Sequence, residues 1–493
     1  MDRRDFLLQG LAATVATSIT AEAQTPSKKQ RPNLLYVFSD QHRAVSMPGE
    51  PYSQTIAPNL DAFRRQNFSM DNCISNYPLC TPYRGILMSG RWPQQTGLIQ
   101  NEVPLSAREI SLGDTFRQAG YYTGYVGKWH LSGKSQTFIP PGPQRLGFED
   151  WHVWNNTNAH YKSWTYDQVT GDKIQPEGWN CTLMTDQAVA FLQKQPANRP
   201  WFLMVSWNPP HPPFNPPAED AGRYPKDGLK FRPNVRLAAA GQPVKGPARF
   251  LASQDGLREA EQGYYGGITG VDLEFARLLE ALEESGQSEN TIVIYTSDHG
   301  EMMGSQGRMA KQVPFEESCR VPFYVRIPGQ KSGKSSVLFA AIDIYPTLCG
   351  LTAIPVPAGR GGRDLSGVML GQAPRATPTL VFLMNQVPAQ HVSGIEEPED
   401  ESTEDGKGTL MLVNQPSYRG VRTMTHTYAV METGRWCLYD NVKDPYQMQN
   451  LVNDNEQQEL MKELDAKILE WLREMNDPFP YVLALSRTST FPA

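Results

Sequence analysis

The 493-residue sequence predicts an α/β fold built on a mostly parallel sheet covered by helices, and three observations carry that expectation. Four apolar runs, "LLYVFSD", "YYTGYVGKWH", "WFLMVSWNPPH" and "TIVIYTSDHG", are continuous rather than alternating, as strands buried on both faces are. Segments of helical periodicity separate them, such as "VDLEFARLLEALEESG", read as a helix from Asp272 to Glu284. Each run also ends in polar residues able to bind or react: Asp40 and Gln41, Lys128 and His130, His211, then Asp298 and His299. A single polar residue at a strand end is ordinarily a turn former. Four such sets favour one shared site, because the carboxyl edge of an open α/β sheet brings distant stretches of chain together.

Ahead of the first run the chain reads as an export signal. Arg3 and Arg4 precede an apolar stretch from Gly10 to Ile19, and Ala21-Glu22-Ala23 has the form of a cleavage site, a layout similar to the twin-arginine type. The apolar stretch is too short to span a bilayer, so no stable membrane insertion is expected once the signal is removed. Periplasmic export of an already folded chain follows, with any cytoplasmic modification completed first. The net charge of −6 gives no general case for nucleic-acid binding, while a local basic pocket for an anionic substrate stays compatible with it. The six cysteines are Cys73, Cys80, Cys181, Cys319, Cys349 and Cys437; setting Cys80 aside leaves five, which cannot all pair within one chain, so no dense disulfide framework is expected.

The texture changes past Pro374, where the acidic, turn-rich "GIEEPEDESTEDGKG" precedes strand-like pieces at "TLMLV", "YRGVRTMTHTYAVM" and "RWCLYD". A helix from about Glu456 to Met475 follows, with Leu460, Met461, Leu464, Ile468, Trp471, Leu472 and Met475 on one apolar stripe. The expected organisation is a signal over 1–23, a main domain over 24–373 and a smaller C-terminal α+β subdomain over 374–493.

Cys80-Thr81-Pro82-Tyr83-Arg84, continuing through Gly90-Arg91 and Pro93 to Gly97, resembles the type I sulfatase signature, in which C-x-P-x-R directs oxidation of the cysteine to formylglycine. "RPNLLYVFSDQ", "APNLDAF", "GYVGKWHL", "PHPPF", "SDHGEMMG", "KQVPFEESCRVPFYVRIPG" and "LYDNVKDPYQMQNL" are similar to the family's other blocks, in family order. The resemblance implies an alkaline phosphatase-like fold, with 24–373 as the sulfatase catalytic domain. It also implies hydrolysis of a sulfate monoester on a sulfated small molecule or saccharide, and a formylglycine-generating maturation enzyme as partner.

The implied chemistry accounts for the residue types. One hydroxyl of a hydrated aldehyde derived from Cys80 attacks sulfur, and the other then loses its proton so that sulfate is expelled without a second attack at sulfur. A divalent metal lowers the hydroxyl pKa and holds the sulfuryl group. By resemblance its ligands are Asp40, Gln41, Asp298, His299 and the residue derived from Cys80. Many sulfatases have a second Asp and an Asn where this chain has Gln41 and His299; calcium is the first expectation, with manganese or magnesium as alternatives. Arg84, Lys128 and Lys311 match the cations around aldehyde and sulfate. His130 matches the base that assists aldehyde regeneration, and His211 the residue that protonates the leaving oxygen, with Lys311 as its rival. Tyr83 stands where the family commonly has a small residue.

The same ligand pairs and cysteine signature occur in phosphonate monoester and phosphate diester hydrolases of the superfamily, so the signature defines the nucleophile better than the electrophile. A catalytically silent sulfatase-like binding protein is the second alternative, against which the complete polar set argues. His160, in "NNTNAHYKSWTYD", matches no block; its segment reads equally as substrate recognition or plain loop. The neighbouring Trp151, Trp154, Tyr161, Trp164 and Tyr166 fit sugar stacking and core packing alike.

Overall fold

A computed structural model of the chain describes residues 31–134, 137–155, 157–195, 199–239, 244–372, 379–386 and 416–481. The expected signal, the Pro374 boundary, the acidic stretch and the "TLMLV" piece lie outside these residues.

In chain order the strands are β1 (Asn33–Asp40), β2 (Phe68–Ile74), β3 (Tyr122–Lys128), β4 (Asp150–Trp154), β5 (Thr165–Tyr166), β6 (Lys173–Ile174), β7 (Trp201–Pro210) and β8 (Thr291–Ser297). They continue with β9 (Arg320–Val321), β10 (Phe323–Arg326), β11 (Gly333–Ala340), β12 (Leu380–Asn385), β13 (Tyr418–Thr423), β14 (His426–Met431) and β15 (Gly434–Asp440). Among the described residues a nine-stranded sheet runs β11-β2-β10-β8-β1-β7-β3-β4, with β9 paired to β2. β1 lies parallel to β7 and β8, β3 to β4 and β7, and β2 to β11; β10 and β9 run antiparallel to their neighbours. Every residue of β1 and β7 is buried, so neither face meets water, which is why these runs do not alternate. On β1, Leu34, Tyr36 and Phe38 belong to one core cluster and Leu35 and Val37 to the other, and helices cover both faces.

The helix expected from Asp272 is longer, spanning Gln254–Glu284, with the Ser253 hydroxyl accepting from the Gly256 amide at its start. Its first half is glycine-rich. Packing explains one of those glycines: a Cβ on Gly263 would stand 2.1 Å from the Phe214 carbonyl oxygen.

At the C-terminal end β12-β13-β14-β15 form an antiparallel sheet, of which β12 was not anticipated. The last helix, Gln458–Met475, follows a 3-10 turn over Asn455–Gln457 and buries Met461, Leu464, Ile468, Trp471 and Leu472. Trp471 stacks on Phe382 of β12, ring centroids 4.5 Å apart, and meets Trp92 edge-on at 5.1 Å. One indole thus ties helix, small sheet and main domain together. Trp471→Ala is expected to destabilise the protein by about 3–5 kcal/mol, read as a lower midpoint in denaturant, because the cavity adds to the lost transfer energy.

All six cysteines are buried and free. No helix among the described residues is long and apolar enough to cross a membrane.

Candidate active site

The strand ends meet. Asp40 closes β1, Asp298 and His299 follow β8, Lys128 closes β3, and the helix Cys80–Ser89 starts with Cys80 facing them. Spacing does the rest: Arg84, one helical turn beyond Cys80, falls on the same face, and Pro82 sits in the first turn, where a backbone donor has no intrahelical partner to lose. Cys80 Sγ stands at the centre of this cluster. It lies 3.3 Å from His299 Nε2, 3.6 and 3.7 Å from the Asp40 oxygens, and 3.8 Å from both Lys128 Nζ and Lys311 Nζ.

Charge is closely matched around the two carboxylates. Asp40 Oδ2 pairs with Lys128 Nζ at 2.7 Å and Arg84 at 3.2 Å, and Arg84 reaches Asp298 Oδ2 at 3.3 Å. Burial alone would raise the Asp40 carboxyl, but Lys128, then His211, His299 and Arg84, hold it well below the usual carboxylate range. Burial and then the Asp40 charge push Asp298 the other way. Asp298 Oδ1 accepts from the Gln41 and His299 amides at 3.0 and 2.9 Å. Arg84 is also held by the Lys128 carbonyl at 2.7 Å and Ser206 Oγ at 2.8 Å, so its guanidinium is pinned from three strands.

Backbone strain collects here. Gln41, His130, Ala310 and Gln312 all have left-handed φ, at 71°, 57°, 66° and 74°. Gly127, before Lys128, has φ 104°, and a Cβ there would stand 2.0 Å from the Ser206 carbonyl oxygen. The glycine of "GKWH" therefore lets β3 press against β7 as it delivers the lysine.

The donor set fits a divalent cation. Asp40, Cys80, Asp298 and His299 each offer one atom, all within 4.8 Å of one another and all buried. His299 Nδ1 lies 3.1 Å from the Gly300 carbonyl, an acceptor only, so Nδ1 carries the hydrogen and Nε2 presents the lone pair. Burial pushes this imidazole down to about 4, which keeps that lone pair free at neutral pH. Gln41 is oriented from both ends: its amide nitrogen donates to Glu301 and its oxygen accepts from Lys311 Nζ in a short contact, leaving that oxygen a second lone pair.

His130 and His211 complete the set. Burial, then Lys128, holds His130 well below its ordinary value, and its Nδ1 has no hydrogen-bond partner. His211 is likewise lowered by burial and then by Lys311; its Nδ1 stands 2.6 Å from the Pro212 carbonyl, so Nε2 is the exchangeable atom. Tyr83 is 1% exposed in the hydrophobic core beneath the helix, interacting with Tyr36.

Two contributors were not anticipated. Glu301, in "SDHGEMMG", is 1% exposed; besides Gln41 it accepts from the Met303 and Ala310 amides, bracing the turn that carries Lys311. Asn158 accepts from Lys128 Nζ at 2.9 Å. An acid three residues past Asp298 was the available signal for Glu301; for Asn158 there was only its membership of the unassigned "NNTNAHY" loop. Of the nearby aromatics, Trp151 and Trp154 are 2% and 1% exposed and serve packing, Trp151 meeting Trp129 edge-on at 4.8 Å. Tyr161, Trp164 and Tyr166 are partly exposed.

A family model described as Sulfatase matches residues 32–354. The chain is 34% identical over 469 residues to an ulvan-active sulfatase of Formosa agariphila, covering 93% of this chain and 84% of that one. It is 30% identical to an endo-4-O-sulfatase of Bacteroides thetaiotaomicron, covering 95% and 97%. Among solved structures, one from work on the metabolism of multiple glycosaminoglycans by Bacteroides thetaiotaomicron superposes with a TM-score of 0.77 at 28% identity, covering 93% of this chain and 99% of that one.

Proposed function

The chain belongs to the sulfatase family of the alkaline phosphatase superfamily and is a sulfate ester hydrolase, and on that premise we propose that it removes sulfate from a saccharide. The observation that carries the reaction is the buried ring of Asp40, Asp298, His299, Lys128 and Lys311 around Cys80 Sγ. Cys80 is converted to formylglycine, whose hydrate supplies the attacking hydroxyl. Asp40, Gln41, Asp298 and His299, with the residue derived from Cys80, would hold a divalent cation, calcium first, which when bound would lower the pKa of that hydroxyl and offset charge on the sulfuryl oxygens.

The remaining work falls to fixed side chains. Lys128 and Lys311 flank the nucleophile and draw the sulfuryl oxygens toward it. Arg84 joins both carboxylates in one rigid unit, so little reorganisation is needed as charge moves. His130, neutral through burial, takes the proton whose loss regenerates the aldehyde. His211 protonates the leaving oxygen through Nε2. Lys311 is the weaker choice for that step, because its ammonium touches Gln41 and stands beside the nucleophile, whereas in-line displacement puts the leaving oxygen on the opposite side.

The saccharide reading is supported by likeness to an endo-4-O-sulfatase and to a protein from the metabolism of multiple glycosaminoglycans, and by the export signal expected at 1–23. A panel of sulfated mono- and oligosaccharides, an aryl sulfate, choline sulfate and a phosphonate monoester is expected to give the highest kcat/KM on a saccharide. A phosphonate monoester or phosphate diester leading by a wide margin would replace the reading with that of the superfamily's hydrolases of those esters. An aryl or choline sulfate in the lead would remove only the saccharide.

A further inference from the structure

We propose that His160, with Asn215 beside it, forms the subsite that receives a hydroxyl of the leaving alcohol next to the sulfate ester; this rests on the saccharide reading above. His160 is 3% exposed, and neither ring nitrogen meets a partner in hydrogen-bonding geometry. The side-chain oxygen of Asn215 is buried and unpartnered as well, and Asn215 interacts with the imidazole. Their contact with each other falls short of hydrogen-bonding geometry, and burying polar groups without well-formed partners is unfavourable, so their concentration in one place calls for a use.

His160 lies two residues beyond Asn158, which accepts from Lys128 Nζ at 2.9 Å, and its ring is within electrostatic reach of Lys128 and Asp40. The backbone carbonyls around it, by contrast, are tied down. The Asn180 amide donates to the His160 carbonyl at 2.8 Å, Asn180 Nδ2 to the Ala159 carbonyl at 3.0 Å, and Asn208 Nδ2 to the Thr157 carbonyl at 2.8 Å. A loop held on both flanks that keeps one imidazole unspent is organised for something outside the protein, next to a lysine placed for sulfate.

The chemistry selects the ligand. Burial pushes the imidazole down to about 3, so the ring is neutral and offers one donor and one acceptor. A hydroxyl, which both donates and accepts, can accept from the ring N–H while donating to the Asn215 side-chain oxygen. A second sulfate or a carboxylate would need a cation, and this ring is not one.

The test is kinetic, on the matured, metal-loaded enzyme. The kcat/KM of wild type, His160→Ala and Asn215→Ala is measured on the best sulfated saccharide of the panel, on its analogue lacking the hydroxyl adjacent to the ester, and on 4-nitrophenyl sulfate. Each substitution is expected to lower the ratio of saccharide to aryl specificity by about 10- to 100-fold. Wild type should lose a similar factor on the deoxy analogue, and His160→Ala should lose little more there, since the same interaction is already gone. Equal losses on saccharide and aryl sulfate, or full extra loss on the deoxy analogue in both variants, would overturn the subsite while leaving the saccharide reading intact. Turnover of the aryl sulfate with none of any hydroxyl-bearing ester would overturn both. Should His160→Ala lower the unfolding midpoint, Asn215→Ala and the wild-type deoxy comparison carry the decision.

Discussion

Alanine at position 80 is expected to abolish turnover, with kcat falling by at least about 10⁵-fold, the scale on which removal of a covalent nucleophile acts. The fold should survive, because the change removes one sulfur atom and no hydrogen bond that supports a strand or helix. Initial rates on the preferred ester, alongside far-UV circular dichroism, measure both halves of this expectation. Mass spectrometry of the wild-type peptide carrying residues 80–84 should show the thiol replaced by an aldehyde or its hydrate when a maturing enzyme is present in the host. A fully active preparation containing only the thiol would sink the mechanism, since Sγ would then be the working atom.

Asp298→Ala comes next in size, with loss of bound metal and a fall of at least about a thousandfold in activity, several kcal/mol of transition-state stabilisation. Three interactions converge on this carboxylate. Oδ1 accepts the Gln41 and His299 amides, which orients two other expected ligands, and Oδ2 pairs with Arg84. Removal therefore leaves Asp40 as the sole carboxylate of the Asp40–Cys80–Asp298–His299 cluster and also slackens its neighbours. Elemental analysis of the purified variant reads metal content independently of activity. Full activity in a wild-type preparation shown to be free of metal would contradict the assignment.

Much of this was written locally. The continuous apolar runs become fully buried strands because a sheet covered on both faces excludes water from every residue along it. Cys80 and Arg84 share a face because of helical geometry alone. The C-terminal stripe closes on the core because its spacing matches the helix period. The extent of the helix Gln254–Glu284 was hidden, since glycines that propensity reads as breakers are there required by a neighbouring backbone.

What sequence offered by itself was the parts list of the candidate site: the signature cysteine, the polar residue at each strand end, the cations in their blocks, and the wound sheet whose carboxyl edge would gather them. Tertiary structure alone decided how those parts are set. Gln41 has its amide turned by Glu301 and Lys311, residues more than 250 positions away, and Lys128 meets Asn158 across a loop that matches no block. His160 and Trp151 stand nine positions apart in one aromatic-rich stretch, yet one is a buried imidazole whose ring nitrogens lack well-formed hydrogen bonds and the other is core. The physical reason is that strand and helix periodicity are local properties. A buried polar group's partners, its protonation and its tautomer depend on contacts that exist only once the chain has closed on itself.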